Sequence, residues 1–232
     1  MSSSTTKSTY LRGLYLALPF VVVVIPFAVL FGVVATEAGL PLSQVMGFSV
    51  LVVAGASQFA ALQFMSESAP ILVVLASALA VNLRMAMYSA SITPHLGGLP
   101  LGGRLLVSYF LVDQSYVMAN AEFEKKPQMS LAKKTAYFAG VSTPICPLWF
   151  AFTYLGAVLG DLIPTNYSLD FILPIAFLAM VAPALRTVAH IAAAATSIVL
   201  ALALFWVPLN LGLLISAVIA MMVGAEVERR AQ

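Results

Sequence analysis

LYLALPFVVVVIPFAVLFGVVA, residues 14–35, runs for twenty-two positions without a charged side chain. About 20 apolar residues carry a helix across the hydrocarbon core of a bilayer. Lipid offers nothing to bond backbone N–H and C=O groups, so a run of this kind reads as a membrane-spanning helix. A cleaved signal peptide would have a shorter apolar region and a small-x-small site ahead of a soluble mature domain, and neither is evident. The run sets the pattern for the chain: 62% of the 232 residues are hydrophobic and 9% are charged. A soluble domain has about 25% charged residues, so this composition cannot clothe a water-facing surface. The expected fold is all-α, a polytopic transmembrane helix bundle.

Further apolar runs follow outward from the first. Span two is expected at about Val45 to Phe64, after the break Gly39-Leu40-Pro41. Span three is expected at about Pro70 to Ala90. Thr93 to Gly103, with Pro94, His95 and Pro100, reads as a loop. Spans four and five are expected at about Leu105 to Ala121 and Ala136 to Leu159. Spans six, seven and eight are expected at about Phe171 to Leu185, Ile191 to Val207 and Leu209 to Val223. The count is about eight; spans six to eight are short, with Pro208 barely separating the last two, and seven spans or a re-entrant pair are the alternatives there. Pro19, Pro26 and Pro174 are expected to kink or break their helices.

The charges orient these runs. Lys7 and Arg12 precede span one, Lys125, Lys126, Lys133 and Lys134 follow span four, and Arg229 and Arg230 follow span eight. An eight-span count puts all three groups on one side, which the positive-inside rule makes cytoplasmic, with both termini. Arg104 is the main exception. Two halves, 13–121 and 136–224, joined by a charged loop 122–135, resemble each other faintly. Pro26-Phe27, Phe31-Gly32 and Gly39-Leu40-Pro41 in the first answer to Pro147-Leu148, Leu155-Gly156 and Leu162-Ile163-Pro164 in the second. Duplicated halves with interrupted helices are a common plan of secondary transporters.

Polar groups at membrane depth are costly and face a cavity or a partner. Gly55, Ser57 and Gln58 fall in the middle of span two, where small residues let the backbone open or approach closely. Gln58 can both donate and accept. Asn82, Arg84 and Tyr88 lie within span three, with Arg84 and Tyr88 on one helix face. A guanidinium at that depth wants a carboxylate, from the protein or from a ligand. Asp113, Tyr116 and Asn120 share a face of span four. Asp113 is the one acid well inside an expected span; it can neutralise Arg84, carry a proton, or do both. Arg186 and His190 form a third pair, near a membrane edge. The alternative for each set is packing or an interfacial anchor.

The sequence lacks a Walker loop, a zinc-binding His pair, a dinucleotide glycine motif and a supported Ser-His-Asp arrangement. Cys146 is the single cysteine, too few for a disulfide within the chain or a thiolate metal cluster. No cofactor, metal or enzymatic activity is expected, and a net charge of +2 without a basic stripe points away from nucleic acid.

Phe31-Gly32 through Ala38-Gly39-Leu40, then Ala54-Gly55-Ala56-Ser57-Gln58-Phe59, Asn82-Leu83-Arg84, Tyr88-Ser89-Ala90-Ser91, Pro94-His95, Asp113 and Leu169-Asp170-Phe171 form a recognisable set. Through them the chain resembles the AzlC family of bacterial membrane proteins, which includes the permease half of branched-chain amino-acid exporters. The likeness extends from about Arg12 to Gly224. It implies export of valine, leucine, isoleucine or other small apolar amino acids across the inner membrane, together with a small membrane partner of the AzlD type. Gln114 departs from the pattern, since relatives carry a second acid after the aspartate. The leading expectation is a secondary transporter coupled to protons. Its pathway would be lined by Gly55, Ser57, Gln58, Asn82, Arg84 and Tyr88, with Asp113, Tyr116 and Asn120 serving coupling or the ion pair. Membrane lipid surrounds it and a homo-oligomer is compatible. The alternatives are a channel or permease for another small solute and a non-transporting scaffold subunit.

Overall fold

The computed structural model describes residues 5–160, 185, 187–207 and 211–231. The chain divides into two compact units, Met1–Phe59 with Ala80–Thr165 and Ala60–Leu79 with Asn166–Gln232. Among the described residues every regular element is an α-helix: α1 Thr6–Glu37, α2 Leu42–Leu51, α3 Gly55–Ser66, α4 Ile71–Leu96, α5 Leu101–Tyr109, α6 Asp113–Lys125, α7 Leu131–Gly160, α8 Val188–Ala203 and α9 Leu211–Ala231. Among these, α1, α4 and α7 are long and apolar enough to cross a membrane. The all-α membrane bundle is therefore the observed class. Expected span six lies almost wholly outside the described residues, as do Asp170, Pro174, Pro183 and Arg186, and so does much of the expected half 136–224.

The first unit is organised around α1 and α7, which lie in backbone contact. A Cβ on Gly13 would stand 2.5 Å from the Tyr137 carbonyl oxygen, one on Gly32 2.3 Å from that of Thr153, and one on Gly156 2.1 Å from that of Val29. Small residues permit this approach, which replaces the hydrophobic drive that lipid does not supply. Contacts advance in the same sense along both helices, so α1 and α7 run parallel. Pro19 and Pro26 break nothing: α1 is one helix through both, as α7 is through Pro144 and Pro147. Each proline removes a single donor, and the close packing of α1 on α7 holds the helix across the gap.

One end of this unit collects charge. Glu122 at the end of α6 is buried and accepts a two-pronged pair from Arg12 of α1, at 2.6 and 3.0 Å, and a contact of 2.8 Å from Lys126. Lys134, near the start of α7, is buried and lies 3.1 Å from Nδ1 of His95. We call this the basic end. The expected loop from Thr93 is shorter than its prolines suggest: α4 continues through Pro94 to Leu96.

Expected spans two and four are not continuous helices. Val52–Ala54 separates α2 from α3, and Phe110–Val112 separates α5 from α6. The arms, nine to thirteen residues each, reach about 14–20 Å at 1.5 Å per residue, roughly half of a hydrocarbon core of about 30 Å. Both pairs turn back. In the second, α6 runs alongside α4 toward the basic end: Asp113 meets Arg84, Tyr116 stacks on Tyr88, and Phe123 meets His95. Since α5 also starts at that end, the pair is a re-entrant hairpin. In the first, α2 starts beyond Glu37, at the opposite end of α1. Gly55 lies against Phe27, and Phe59, one turn on, lies between Phe27 and Phe31. Thus α3 heads back toward the Glu37 end. The sequence left a re-entrant pair open only among spans six to eight; the structure instead replaces expected spans two and four by re-entrant hairpins, from opposite ends.

The two hairpins share a plan. Gly39-Leu40-Pro41-Leu42 opens the first and Gly98-Leu99-Pro100-Leu101 the second. Pro41 and Pro100 are extended N-caps with near-equal dihedrals, −65°/153° and −60°/160°. A long helix, a Gly-Leu-Pro-Leu corner and a hairpin thus occur twice with inverted orientation. Their tips touch: the Tyr109 hydroxyl, ending α5, donates to the Val50 carbonyl of α2 at 2.6 Å.

In the second unit, α8 and α9 form an antiparallel pair, with Gly224 beside Ala189 and Ala193 and Gly212 beside Leu204. The Thr187 hydroxyl caps α8 by accepting from the His190 amide. Glu226, near the end of α9, is held below the usual carboxylate range by hydrogen bonds from Arg229 and Arg230.

Candidate functional site: two hairpin tips

The second tip carries the charges. Ser115 closes the break at residues 110–112, accepting from the Val112 amide at 2.9 Å while its hydroxyl faces the Phe110 and Val112 carbonyls at 2.8 and 3.0 Å. Asp113 is the first residue of α6, where the positive end of the helix favours a carboxylate. Its Oδ2 lies 3.1 Å from Arg84 Nη2. Arg84 sits about 18 Å before the basic end of α4 at 1.5 Å per residue, so the pair falls at mid-depth. Tyr88 and Tyr116 stack beside it at 4.1 Å with planes 10° apart, and the Tyr116 hydroxyl donates to Ser91 at 3.0 Å. Asp113 Oδ1, Arg84 Nε and Asn82 Oδ1 are buried atoms without a hydrogen-bond partner. Unmet buried polar groups cost about 1–3 kcal/mol each, and at a helix break they mark where a ligand or water can bind.

The first tip is apolar and aromatic. Phe27 and Phe31 of α1, Phe59 of α3 and Trp149 of α7 surround Gly55, with ring centroids 4.8–6.2 Å apart. A Cβ on Gly55 would come within 2.8 Å of Trp149 and 2.9 Å of Phe27, so the aromatic packing requires glycine there. Ser57 bonds back to the Ala54 carbonyl at 2.9 Å and finishes the first turn of α3. Gln58 is fully buried; its Nε2 donates to Ser49 at 3.3 Å, and Ser49 donates to Thr153 at 3.3 Å. Gln58 Oε1 and Trp149 Nε1 have no partner.

The structure therefore gathers Arg84, Tyr88, Asp113 and Tyr116, with Asn82 nearby on α4, at one tip. Gly55, Ser57 and Gln58 stand at the other. Asn120 belongs to neither set, since its amide donates to Glu124 at 2.8 Å further down α6. Ser49, Thr153, Trp149 and Tyr109 are polar members that sequence reading passed over. The Gly-Leu-Pro-Leu pair was the available signal, because it aligns Ser49 and Val50 with Ser108 and Tyr109. Among the described residues no His, Cys, Asp and Glu cluster could hold a metal ion.

Opposed re-entrant hairpins among long apolar helices define a polytopic helical membrane protein. The chain belongs to the AzlC family: the family model described as AzlC protein matches residues 19–163. That membership carries a membrane transport-related role. An uncharacterized membrane protein of Archaeoglobus fulgidus is 28% identical over 88% of each chain. Inner membrane protein YgaZ of Escherichia coli is 24% identical over 74% of this chain and 71% of its own. No solved structure is a significant match.

Proposed function

We propose that this chain is the large subunit of a secondary exporter for branched-chain and other small apolar amino acids in the bacterial inner membrane. It works with a small AzlD-type membrane subunit, and both termini are cytoplasmic. The observation that carries the reading is the Arg84–Asp113 pair at a hairpin tip, at mid-depth, with unmet polar atoms beside it. Transporters bind substrate at such interrupted helices near the midplane. The basic end, rich in Lys and Arg, fits the cytoplasmic side. Residues around the aromatic tip, with Gly55, Ser57 and Gln58, line the apolar part of the path.

Asp113 supplies the coupling. A proton arriving from outside neutralises the carboxylate, weakens its hold on a cationic group and favours release; loss of that proton to the cytoplasm restores the site. Amino acid leaves as a proton enters. The test is flux in liposomes containing purified protein, with and without the small subunit, under an imposed pH gradient. Wild type should drive valine uphill, and Asp113→Asn should abolish the proton dependence while remaining folded. Unchanged proton dependence in Asp113→Asn would sink the coupling role, and wild-type flux that neither saturates nor runs uphill would sink the carrier.

A further inference from the structure

The Arg84–Asp113 contact leaves much of its capacity unused. One ion-pair contact brings Nη2 to 3.1 Å from Oδ2 without hydrogen-bond geometry, the Tyr88 hydroxyl stands against the carboxylate, and Arg84 Nε and Asp113 Oδ1 remain without partners. A guanidinium facing a carboxylate readily forms two parallel bonds, yet the tip of the hairpin holds the pair in a one-pronged arrangement. Asn82, two residues before Arg84 on the same helix, points to a different face and is not part of the pair. The inventory is one guanidinium edge with a spare donor and one carboxylate with a spare acceptor.

We propose that this pair is a stand-in for a zwitterion. The α-carboxylate of an amino acid replaces Asp113 on the edge of Arg84, and its α-ammonium replaces Arg84 on Asp113. The inference rests on the amino-acid exporter reading and assigns the recognition of its substrate. Charge conservation makes the exchange feasible at membrane depth. The site is neutral when empty because the two residues neutralise each other, and it is neutral when occupied because the substrate brings both charges on one carbon. An amine, an amide or a carboxylic acid brings one charge and leaves the site with a net charge, which is costly where water is scarce. Tyr88 and Tyr116, stacked against each other, wall the pair on the α4–α6 side. The aliphatic group is not part of this recognition, so the two unblocked charges are the general requirement.

The test is binding of four probes to the purified full-length protein in detergent by titration calorimetry: leucine, leucinamide, 4-methylpentanoate and isopentylamine. Wild type should bind leucine about tenfold or more tighter than each single-charge probe, the expected effect of losing a charged hydrogen-bonding group. Arg84→Gln leaves Asp113 unpaired and should gain isopentylamine while losing leucine. Asp113→Asn should gain 4-methylpentanoate. A merely structural ion pair would give no such reciprocal gain. Equal binding of leucine and leucinamide by wild type overturns the proposal, as does loss of leucine in both folded variants with no gain for the matching probe. If a variant does not fold, the wild-type panel decides. Leucine binding without liposomal flux would sink the exporter alone; leucine flux with leucinamide bound equally well would sink the exchange alone. Wild type that binds no leucine overturns it as well.

Discussion

Gly156 is, with Gly140, one of the two tightest positions on the α1–α7 seam, and replacing it by alanine gives a direct test of the packing. The added methyl group would lie 2.1 Å from the Val29 carbonyl oxygen and 2.8 Å from the Val29 Cα, where ordinary contact begins at 3.4 Å. Both obstacles are backbone, so no rotamer change relieves them; the helices must part locally by about 1.3 Å. A gap of 0.5–1 Å already forfeits a quarter to a half of each contact's attraction, and overpacking alone costs about 1–3 kcal/mol. With carbonyls on both sides of the seam we expect the upper end, about 3 kcal/mol, or roughly a hundredfold in the folded-to-unfolded ratio. Gly47→Ala is the control. Nothing lies within 4 Å of a Cβ there, and alanine in a helix interior gains about 0.5–1 kcal/mol over glycine. Reversible unfolding in mixed micelles, followed by circular dichroism against rising SDS, measures both. If Gly156→Ala unfolds within about 0.5 kcal/mol of wild type, α1 and α7 are not in backbone contact and the parallel arrangement falls with them.

Other expectations follow from the same geometry. In a Cys146→Ala background, Gly98→Cys and Gln128→Cys should react with a membrane-impermeant thiol reagent from one side and Ala38→Cys from the other. Labelling of Gly98→Cys from the Ala38 side would restore an unbroken fourth span. Glu122→Gln removes the negative charge shared by Arg12 and Lys126 and turns one of the two accepting oxygens into a donor; thermal unfolding should report a loss of about 1–3 kcal/mol, and no loss would mean the basic end is not locked by this residue. Tyr109→Phe deletes the bond between hairpin tips, and amide exchange should quicken around residues 50–54 while global stability changes by about 1 kcal/mol. At the C-terminal turn of α9, the depressed Glu226 carboxyl favours the ordered turn above its unfolded value and loses that contribution as pH falls through the folded one. Glu226→Gln should therefore flatten the pH dependence of amide exchange there, beyond the intrinsic pH dependence of exchange; an unchanged profile would count against the local pairing.

Much of this was legible in the residues. The charge-free run at 14–35 gives α1, and Arg84 and Asp113 are recognisable as costly groups needing partners. Ala54-Gly55-Ala56 marks the first break within a residue or two. What hydropathy cannot convey is direction. The run from Leu42 to Ser66 has enough apolar residues for one crossing, and only the side chains that meet Phe27 and Phe31 reveal that it turns back. The positive charges did not expose this. Replacing a crossing by a hairpin twice over leaves Lys126 on the side of Arg12 and reverses only α4. Gln58 was conspicuous as an amide among apolar neighbours, whereas Ser49 and Thr153 are small residues 104 positions apart that tertiary packing alone brings together.

The two hairpins enter from opposite ends yet present unlike tips, one charged and one aromatic. They meet at the Tyr109–Val50 bond, so a displacement of the charged tip is carried to the aromatic one through a hydroxyl and a carbonyl rather than through matching surfaces.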